Sequence, residues 1–377
     1  MMILPGSTLG MLGGGQLGRM FTIAARNMGY EVIVLDPDKD SPAGKLATRH
    51  LCADYDDATA LDTLNRSCAA ITTEFENIPA TILEQLAACC PVRPGAKAVT
   101  ITQDRIHEKT FLRDQGFPTT PFALLRSDAD VAAGLQGIIT PAILKVSRFG
   151  YDGKGQYSVT TEADLQTAWQ SLQGNECVLE QRMPLDVEIS VVLARSTTGE
   201  TSTFPVAENI HVNGILDVSI VPARVDAVLG RQAIEMATAI AVALDYVGVM
   251  AVEFFVSNGE LLVNEIAPRP HNSGHYTLDA TVTSQFEQQV RAVCGLPLGE
   301  TRLLSPVVMV NMLGDLWHGG QPPQWDKLLS HSNVKLHLYG KREARPGRKM
   351  GHYNVLATEL DAALRLARDI QQRLGTP

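Results

Sequence analysis

No run in this chain is long or apolar enough to span a membrane, and the N-terminus lacks the basic-then-apolar pattern of a signal segment. Basic charge is also short. The formal net charge is −9, which argues against a general nucleic-acid binder but leaves room for a local basic pocket. The six cysteines, Cys52, Cys68, Cys89, Cys90, Cys177 and Cys294, show no CxxC spacing. They read as reduced thiols of a cytoplasmic protein, not as a disulfide framework or zinc site. Internal repeats and low-complexity segments are absent. What remains is an ordinary globular profile, 45% hydrophobic and 19% charged, and 377 residues imply two or three domains.

The first segment reads as a doubly wound unit. A strand over Thr8 to Leu12, a glycine turn over Gly13 to Gly18, a helix over Gln16 to Met28 and a strand over Glu31 to Leu35 make a βαβ unit. A later strand, Ala69 to Glu74, runs into Phe75-Glu76-Asn77. Gly15, Asp36 and Glu74 then sit at strand carboxyl ends, where open α/β sheets gather ligands. Gly13-x-Gly15-x-x-Gly18 with Asp36 also matches a dinucleotide fingerprint. One phosphate of another ligand would use the same helix terminus, and so would a tight turn with no ligand.

A helix over Asp104 to Gln115 closes at Gly116, and Phe117-Pro118-Thr119-Thr120-Pro121 marks a boundary. Beyond it come a strand at Ala142 to Val146, a strand near Tyr157, a helix from Glu162 to Leu172 and a strand from Cys177 to Gln181. Lys145 ends an apolar strand beside the loop Ser147 to Gln156, which contains Gly150, Gly153, Lys154 and Gly155. That pairing suits a lid over a polyphosphate, with backbone N–H groups and a point charge. The spacing is not that of a Walker A loop. Solvated lysines on a hairpin loop are the plainer alternative.

Further on, the segments EISVVLA, STFPVAE and ILDVSIVPA read as strands, Arg231 to Leu244 as an apolar-faced helix, and Leu360 to Leu374 as a terminal helix. Ala251 to His275 is the most telling stretch. Two apolar strands carry Glu253 and Glu265, and a Ser257-Asn258-Gly259 turn joins them. Buried carboxylates on strands need a partner or a cation, and magnesium takes one or two carboxylates plus phosphate oxygens. Side chains alternate along a strand, so loop length decides whether the two share a face. A two-residue loop separates them. A three-residue loop, or an equivalent bulge, brings them together, and that is the expected register.

The order of these features is that of an ATP-grasp enzyme. The chain resembles the 5-(carboxyamino)imidazole ribonucleotide synthases of purine biosynthesis through Gly13 to Met20, Thr73 to Asn77, Gly150 to Gln156, Asn264 to His275 and the basic segment Gly340 to His352. The resemblance implies an α/β ATP-grasp fold in three parts. These are an N-terminal doubly wound substrate domain over 1–103, a linker helix and lid over 104–185, and a C-terminal α+β domain over 186–377. It implies ATP and Mg2+ as cofactors, with 5-aminoimidazole ribonucleotide and bicarbonate as substrates, reacting through carboxyphosphate in a cytoplasmic homodimer. Nucleic acid and membrane are not expected partners.

Site residues follow from the same resemblance. Arg105, Lys145, Gly150, Tyr151, Asp152, Gly153, Lys154, Gly155 and Gln156 would handle the phosphates. Glu180, Gln181, Arg182, Met183, Glu188, His211, Asn264 and Glu265 would complete the ATP site. Glu253 and Glu265 would bind magnesium. Gly15, Gln16, Leu17, Glu74, Asn77, His271, Asn272, Ser273, Lys341 and Arg348 would hold the imidazole nucleotide, and Tyr151, Asp152, Arg269 and Lys341 would act at the reacting groups.

Three alternatives carry different chemistry. A formate-activating ligase acting on glycinamide ribonucleotide would share the ATP site, and product analysis separates the two. An NAD-dependent dehydrogenase rests on the glycine turn alone, and a non-catalytic nucleotide-binding module would lack turnover. The lid reading has its own test. Magnesium-ATP, and not NADH, should slow hydrogen exchange across 148–156, where few apolar contacts are available. Equal exchange with and without magnesium-ATP would reduce the loop to a structural turn.

Overall fold

The computed structural model of the chain describes residues 2–150 and 155–375. The first sheet is built from β1 (Thr8–Leu12), α1 (Gln16–Asn27), β2 (Glu31–Leu35), β3 (Arg49–Leu51), α2 (Ala58–Ser67) and β4 (Ala70–Thr73), followed by α3 (Ala80–Ala87) and α4 (Ala96–Thr102). Its strands are parallel, in the order β3-β2-β1-β4. β2 and β4 flank β1 on opposite sides, so the order switches direction at β1. A crevice therefore opens beyond its carboxyl end, at the glycine turn. β1, β2 and β4 are almost wholly buried, as expected for a parallel sheet covered on both faces, whereas the short edge strand β3 is partly exposed.

α5 (Arg105–Asp114) follows. Asp104 caps it, accepting from the amide N–H of Ile106 at 2.9 Å and of His107 at 3.3 Å. The next module contains β5 (Phe122–Leu125), α6 (Asp128–Ala133), β6 (Ala142–Val146), β7 (Gln156–Val159), α7 (Glu162–Ser171) and β8 (Cys177–Gln181). Its antiparallel sheet runs β5-β8-β6-β7. Leu125, Leu144 and Leu179 of the sheet pack with Leu165 and Trp169 of α7 in a core of their own. A capping box between Thr161 and Asp164 starts α7.

The third sheet is the largest, with nine strands. It uses β9 (Val187–Arg195), β10 (Thr201–Thr203), β11 (Ala207–Val212), β12 (Ile215–Val221), then α8 (Ala227–Ala243), β13 (Gly248–Ser257) and β14 (Glu260–Ala267). After α9 (Thr277–Ala280) and α10 (Gln285–Cys294) come β15 (Val307–Leu313), α11 (Trp325–Leu329), β16 (Val334–Leu338), β17 (Lys349–Leu356) and α12 (Leu360–Gly375). The order is β14-β13-β9-β11-β12-β15-β17-β16, with β10 beside β9. Two sequence expectations are corrected here. STFPVAE is not one strand but the end of β10 and the start of β11. Pro205, with no N–H to donate, lies in the break. α8 begins four residues before Arg231, because the Asp226 carboxylate accepts from the Val228 amide at 2.7 Å and caps it there.

α10 joins the first sheet to the third. Val290, Val293 and Cys294 share a core with Leu9, Met11 and Phe21. Gln289, 1% exposed, crosses the junction. Its Nε2 donates to Thr72 Oγ1 of β4 at 2.9 Å, and its Oε1 accepts from the Val249 amide of β13 at 2.5 Å. Gln289→Leu would leave the Val249 amide buried and unpaired, which costs about 1–3 kcal/mol. An unfolding free energy lowered by that amount, read from a lower urea midpoint, is the expected outcome. An unchanged midpoint would mean that this junction is held by apolar packing alone.

Candidate functional site

All three sheets line one cavity of about 1330 Å³. Its centre is the β13–β14 hairpin. Asn258 and Gly259 form a two-residue loop with φ of 51° and 75°, and Ser257 pairs with Glu260. The three-residue loop expected from the sequence is therefore absent. The pairing continues regularly to Phe254 opposite Val263, and then jumps to Glu253 opposite Glu265. Asn264 is the extra residue of a β-bulge. Without it Glu253 would face Asn264, and Glu265 would lie on the other side of the sheet. The bulge puts both carboxylates on the cavity face, which is the alternative that the sequence had left open.

Those carboxylates differ electrostatically. Burial and the Glu265 charge push Glu253 up to about 7. Burial also acts on Glu265, but Arg105, Lys145 and Arg269 outweigh it and hold Glu265 below the usual range. Arg105 Nη1 stands 3.3 Å from Glu265 Oε2. His271 Nε2 is 3.3 Å from Glu253 Oε1, and Asn264 Nδ2 donates weakly to Oε2 at 3.4 Å. Burial keeps His271 neutral. Its Nδ1 accepts from the Ser273 amide, so Nε2 carries the proton that faces Glu253.

Beside the hairpin, Glu180 Oε2 meets three donors: Lys145 Nζ at 3.1 Å, Lys109 Nζ at 3.3 Å and Thr120 Oγ1 at 3.0 Å. Burial alone would raise Glu180, but Lys109 and Lys145 hold it well below the usual carboxylate range. Its Oε1 is buried with no donor among the described residues. A buried ionised oxygen without a partner is expensive, so this atom is suited to a ligand N–H. Ile143, Met183, Leu185 and Phe255 supply apolar walls to the same cavity.

The far end of the cavity is the glycine turn. Here the chain itself takes the anion position at the start of α1. Glu74 Oε1 accepts from the Gly15 amide and Oε2 from the Gly18 amide, both at 2.6 Å. Gly18 is required because a Cβ there would meet the Gly13 carbonyl at 2.6 Å. Asp36 is equally occupied. Its Oδ2 accepts from the Gly14 amide at 2.7 Å and from the Tyr55 hydroxyl at 3.0 Å, and Oδ1 from the Asp38 amide at 2.8 Å. An acidic residue that reads a dinucleotide ribose must keep its oxygens free, so this turn is not a dinucleotide site. Lys341 Nζ reaches across to Gln16 Oε1 at 2.7 Å, and Arg269 Nε pairs with Glu76 Oε2 at 2.7 Å. Burial pushes Glu74 up to about 7 against the pull of these two amides.

Nearly every described residue expected from the sequence lines this cavity: Gly15, Gln16, Leu17, Glu74, Asn77, Arg105, Lys145, Gly150, Gln156, Glu180 to Met183, Glu188, His211, Glu253, Asn264, Glu265, Arg269, His271, Asn272, Lys341 and Arg348. Ser273 and Gly155 do not. Ser273 is fully buried, and its hydroxyl bonds Ser190 at 2.7 Å and His271 at 2.9 Å. It serves the wall, not the cavity. Tyr151, Asp152, Gly153 and Lys154 lie outside the described residues. The sequence reading missed Glu76, Glu108, Thr120 and Arg345, which also line the cavity. Glu108 had a signal, since Arg105, Glu108 and Lys109 stand at i, i+3 and i+4 on one helix face.

The hairpin fits a magnesium ion. Among the described residues no group of three or more His, Cys, Asp or Glu could enclose a metal. Two facing carboxylates, one raised by the other, would instead share a cation whose remaining ligands are phosphate oxygens and water.

Similarity searches agree along the chain. The ATP-grasp domain family matches residues 110–286, the ribonucleotide synthetase preATP-grasp domain family 6–103, and the phosphoribosylaminoimidazole carboxylase C-terminal domain family 307–366. N5-carboxyaminoimidazole ribonucleotide synthase of Bacillus subtilis strain 168 is 46% identical over 94% of this chain and 92% of its own. Its counterpart in Brucella melitensis is 44% identical over 92% and 96%. Among solved structures, an ADP complex of an N5-carboxyaminoimidazole ribonucleotide synthetase superimposes with a TM-score of 0.93 at 46% identity, covering 98% of this chain and 97% of that one. The Aspergillus clavatus enzyme, solved with ADP and 5-aminoimidazole ribonucleotide, gives 0.89 at 29% identity, covering 98% of each.

The raised Glu74 carboxyl sets a pH dependence. A carboxyl raised from 4.5 to about 7 in the fold favours folding in its neutral form. That contribution is complete below about pH 4.5 and is lost as pH rises toward 7. The stability difference between wild type and Glu74→Gln should therefore move toward the variant, by on the order of 1–3 kcal/mol, between pH 5 and 8. Parallel melting-temperature profiles would show that Glu74 is ionised throughout.

Proposed function

The chain belongs to the N5-carboxyaminoimidazole ribonucleotide synthase family, and from that premise we propose how its cavity divides the work of an ATP-dependent ligase. The reaction is carboxylation of the amine of 5-aminoimidazole ribonucleotide at the expense of ATP. Bicarbonate supplies the carbon. Its oxygen attacks the γ-phosphorus of ATP, ADP leaves, and carboxyphosphate forms. The amine nitrogen then takes the carbon as CO2, phosphate departs, and the amine loses a proton. The relatives carry the name of the carboxylated ribonucleotide, which disfavours the formate-activating alternative.

The observation that carries this reading is the bulge-made pair Glu253 and Glu265, facing Arg105 and Lys145 across one cavity. Phosphoryl transfer asks a protein mainly for positioning and charge neutralisation. Arg105 and Lys145 meet the phosphates, with Gly150 and Gln156 in the same cavity. Adenine lies by Gln181 to Met183, and its amino group donates to Glu180 Oε1. Glu188, paired with His211 at 2.7 Å, accepts from the ribose. Glu253 and Glu265 hold Mg2+, which neutralises phosphate charge when bound. The imidazole nucleotide lies toward Gln16, Asn77, Lys341 and Arg348. Arg269, fixed by Glu76, faces the carboxyphosphate with His271 and Asn272, and the family resemblance assigns Tyr151 and Asp152 to the same reacting groups. Because Glu74 occupies the start of α1, the substrate phosphate falls to the basic segment and not to that helix terminus.

We place the domain limits at 103/104 and 185/186. The first follows the last helix before Asp104, and the second follows the strand that closes the small sheet. The chain acts as a cytoplasmic homodimer, in keeping with six unpaired cysteines and the family resemblance. Among the described residues no helix is long and apolar enough to cross a membrane.

ADP release measured with each combination of bicarbonate and 5-aminoimidazole ribonucleotide tests the reaction. Full release should require both substrates, and formate with glycinamide ribonucleotide should not replace them. Glu265→Gln should remove on the order of 3 kcal/mol or more of transition-state stabilisation, a loss of at least about a hundredfold in turnover. Near-wild-type turnover at saturating magnesium would sink the metal assignment.

A further inference from the structure

β14 is the edge strand of the large sheet. Its outer side has no neighbouring strand to satisfy backbone N–H and C=O groups, and a bulge disturbs pairing further. The linker covers that side. The Val263 amide donates to the Pro118 carbonyl at 2.7 Å, and Thr119 Oγ1 donates to the Val263 carbonyl at 2.8 Å. At the bulge itself α5 takes over with side chains. Lys109 Nζ donates to the Asn264 carbonyl at 3.0 Å, and Glu108 accepts from the Ile266 amide through Oε1 at 2.6 Å.

These two contacts bracket one residue. The Asn264 carbonyl belongs to the peptide before Glu265, and the Ile266 N–H to the peptide after it. Holding both peptide planes sets φ and ψ of Glu265, and thereby the direction of its side chain. Arg105, one turn earlier on the same helix face, holds the carboxylate. Neither Glu108 nor Lys109 is exposed to solvent, at 2% and 0%. Such burial of ionisable side chains is sustained only by specific partners. Lys109 uses its three donors on Asn264, on Thr119 Oγ1 at 2.9 Å and on Glu180. It therefore ties the hairpin to the strand that carries Glu180.

We propose that Glu108 and Lys109 are positioning residues: they grip the two peptide groups flanking Glu265, maintain the bulge at Asn264, and keep Glu265 on the Glu253 face for a shared divalent cation. The metal end of this inference rests on the magnesium reading above, whereas the grip on the peptides does not. A residue that orients a metal ligand without touching the ion is worth about ten- to a hundredfold in metal affinity. In this chain it would act through the backbone of the ligand.

The test compares Glu108→Leu with Glu108→Gln in the full chain. Three quantities are measured: exchange of the Ile266 amide, ADP affinity in EDTA, and the Mg2+ concentration that half-saturates the Mg2+-dependent gain in ADP affinity. The leucine variant has no acceptor. It should speed Ile266 exchange, raise the half-saturating Mg2+ about tenfold or more, and leave ADP affinity in EDTA within about twofold. Glutamine keeps a carbonyl acceptor, and should match wild type within about threefold in all three. Faster Ile266 exchange with an unchanged Mg2+ requirement in Glu108→Leu would overturn the proposal. If the leucine variant does not fold, Glu108→Gln still decides, because a tenfold rise in its Mg2+ requirement would overturn it. Glu265→Gln separates the two readings. An unchanged Mg2+ requirement there removes the metal assignment itself, while unprotected exchange at Ile266 in wild type removes the grip.

Discussion

Two carboxylates of like charge stand face to face at the centre of this protein, and much of the surrounding structure serves to keep them there. Glu253 and Glu265 oppose each other only because Asn264 is extruded as a bulge. A bulged edge strand whose inward carboxylate faces another on the next strand would be unstable alone. The neighbours that stabilise it come from outside the two strands. α5 supplies Arg105, Glu108 and Lys109, the proline-flanked linker supplies Pro118 and Thr119, and His271 reaches Glu253 from the following loop. Each partner satisfies a backbone or carboxylate group that would otherwise be buried unpaired.

Charge compensation extends outward in layers. Glu180 is over-supplied with cations on one oxygen and bare on the other, so the chain leaves it ready for a neutral donor. Arg269 is balanced by Glu76, which lets a guanidinium face the cavity at the modest exposure seen there. Both carboxylates adjoining the first sheet, Asp36 and Glu74, are spent on the glycine turn. The same loop chemistry that cradles a dinucleotide phosphate in other folds here closes on the protein's own side chains. The remaining polar groups at this end of the cavity include Gln16, Asn77 and the basic segment that carries Lys341 and Arg348, which is why the proposed function gives the substrate to them.

Assembly of the three sheets follows from a few buried junctions. Gln289 spans β4 and β13. Lys341 joins the basic segment to the glycine turn through Gln16, and Arg342, exposed to solvent, adds only a surface pair with Asp40 at 3.2 Å. Lys109 ties the linker helix to both β14 and β8. The end of β8 with the linker after it, the β13–β14 hairpin and the glycine turn are thus walls of one cavity.

Much of this was legible in the sequence. Hydrophobic periodicity placed β1, β2, β6 and β8 at their observed limits, because parallel or buried strands are short apolar runs between turn residues. Asp104 announced α5, and motif order brought the lysine strand, the acidic linker and the hairpin into a single site. Periodicity and turn chemistry are local, and that is where the reading stopped. The hairpin shows why. Asn258-Gly259 dictates a two-residue loop, which by itself sends Glu265 to the wrong face. The correction lies five residues away, in a bulge held by side chains more than 150 residues upstream. Glu74 likewise carries a strand-end signature, but its distance to the Gly15 and Gly18 amides exists only once β1 and β4 are paired. Ser273 sits in a motif rich in ligand-binding residue types, and only packing against Ser190 turned it into the wall. Residue type and spacing thus determined which groups would gather. Which face each group shows, and which is already spent on another, was decided by long-range contacts that no local pattern encodes.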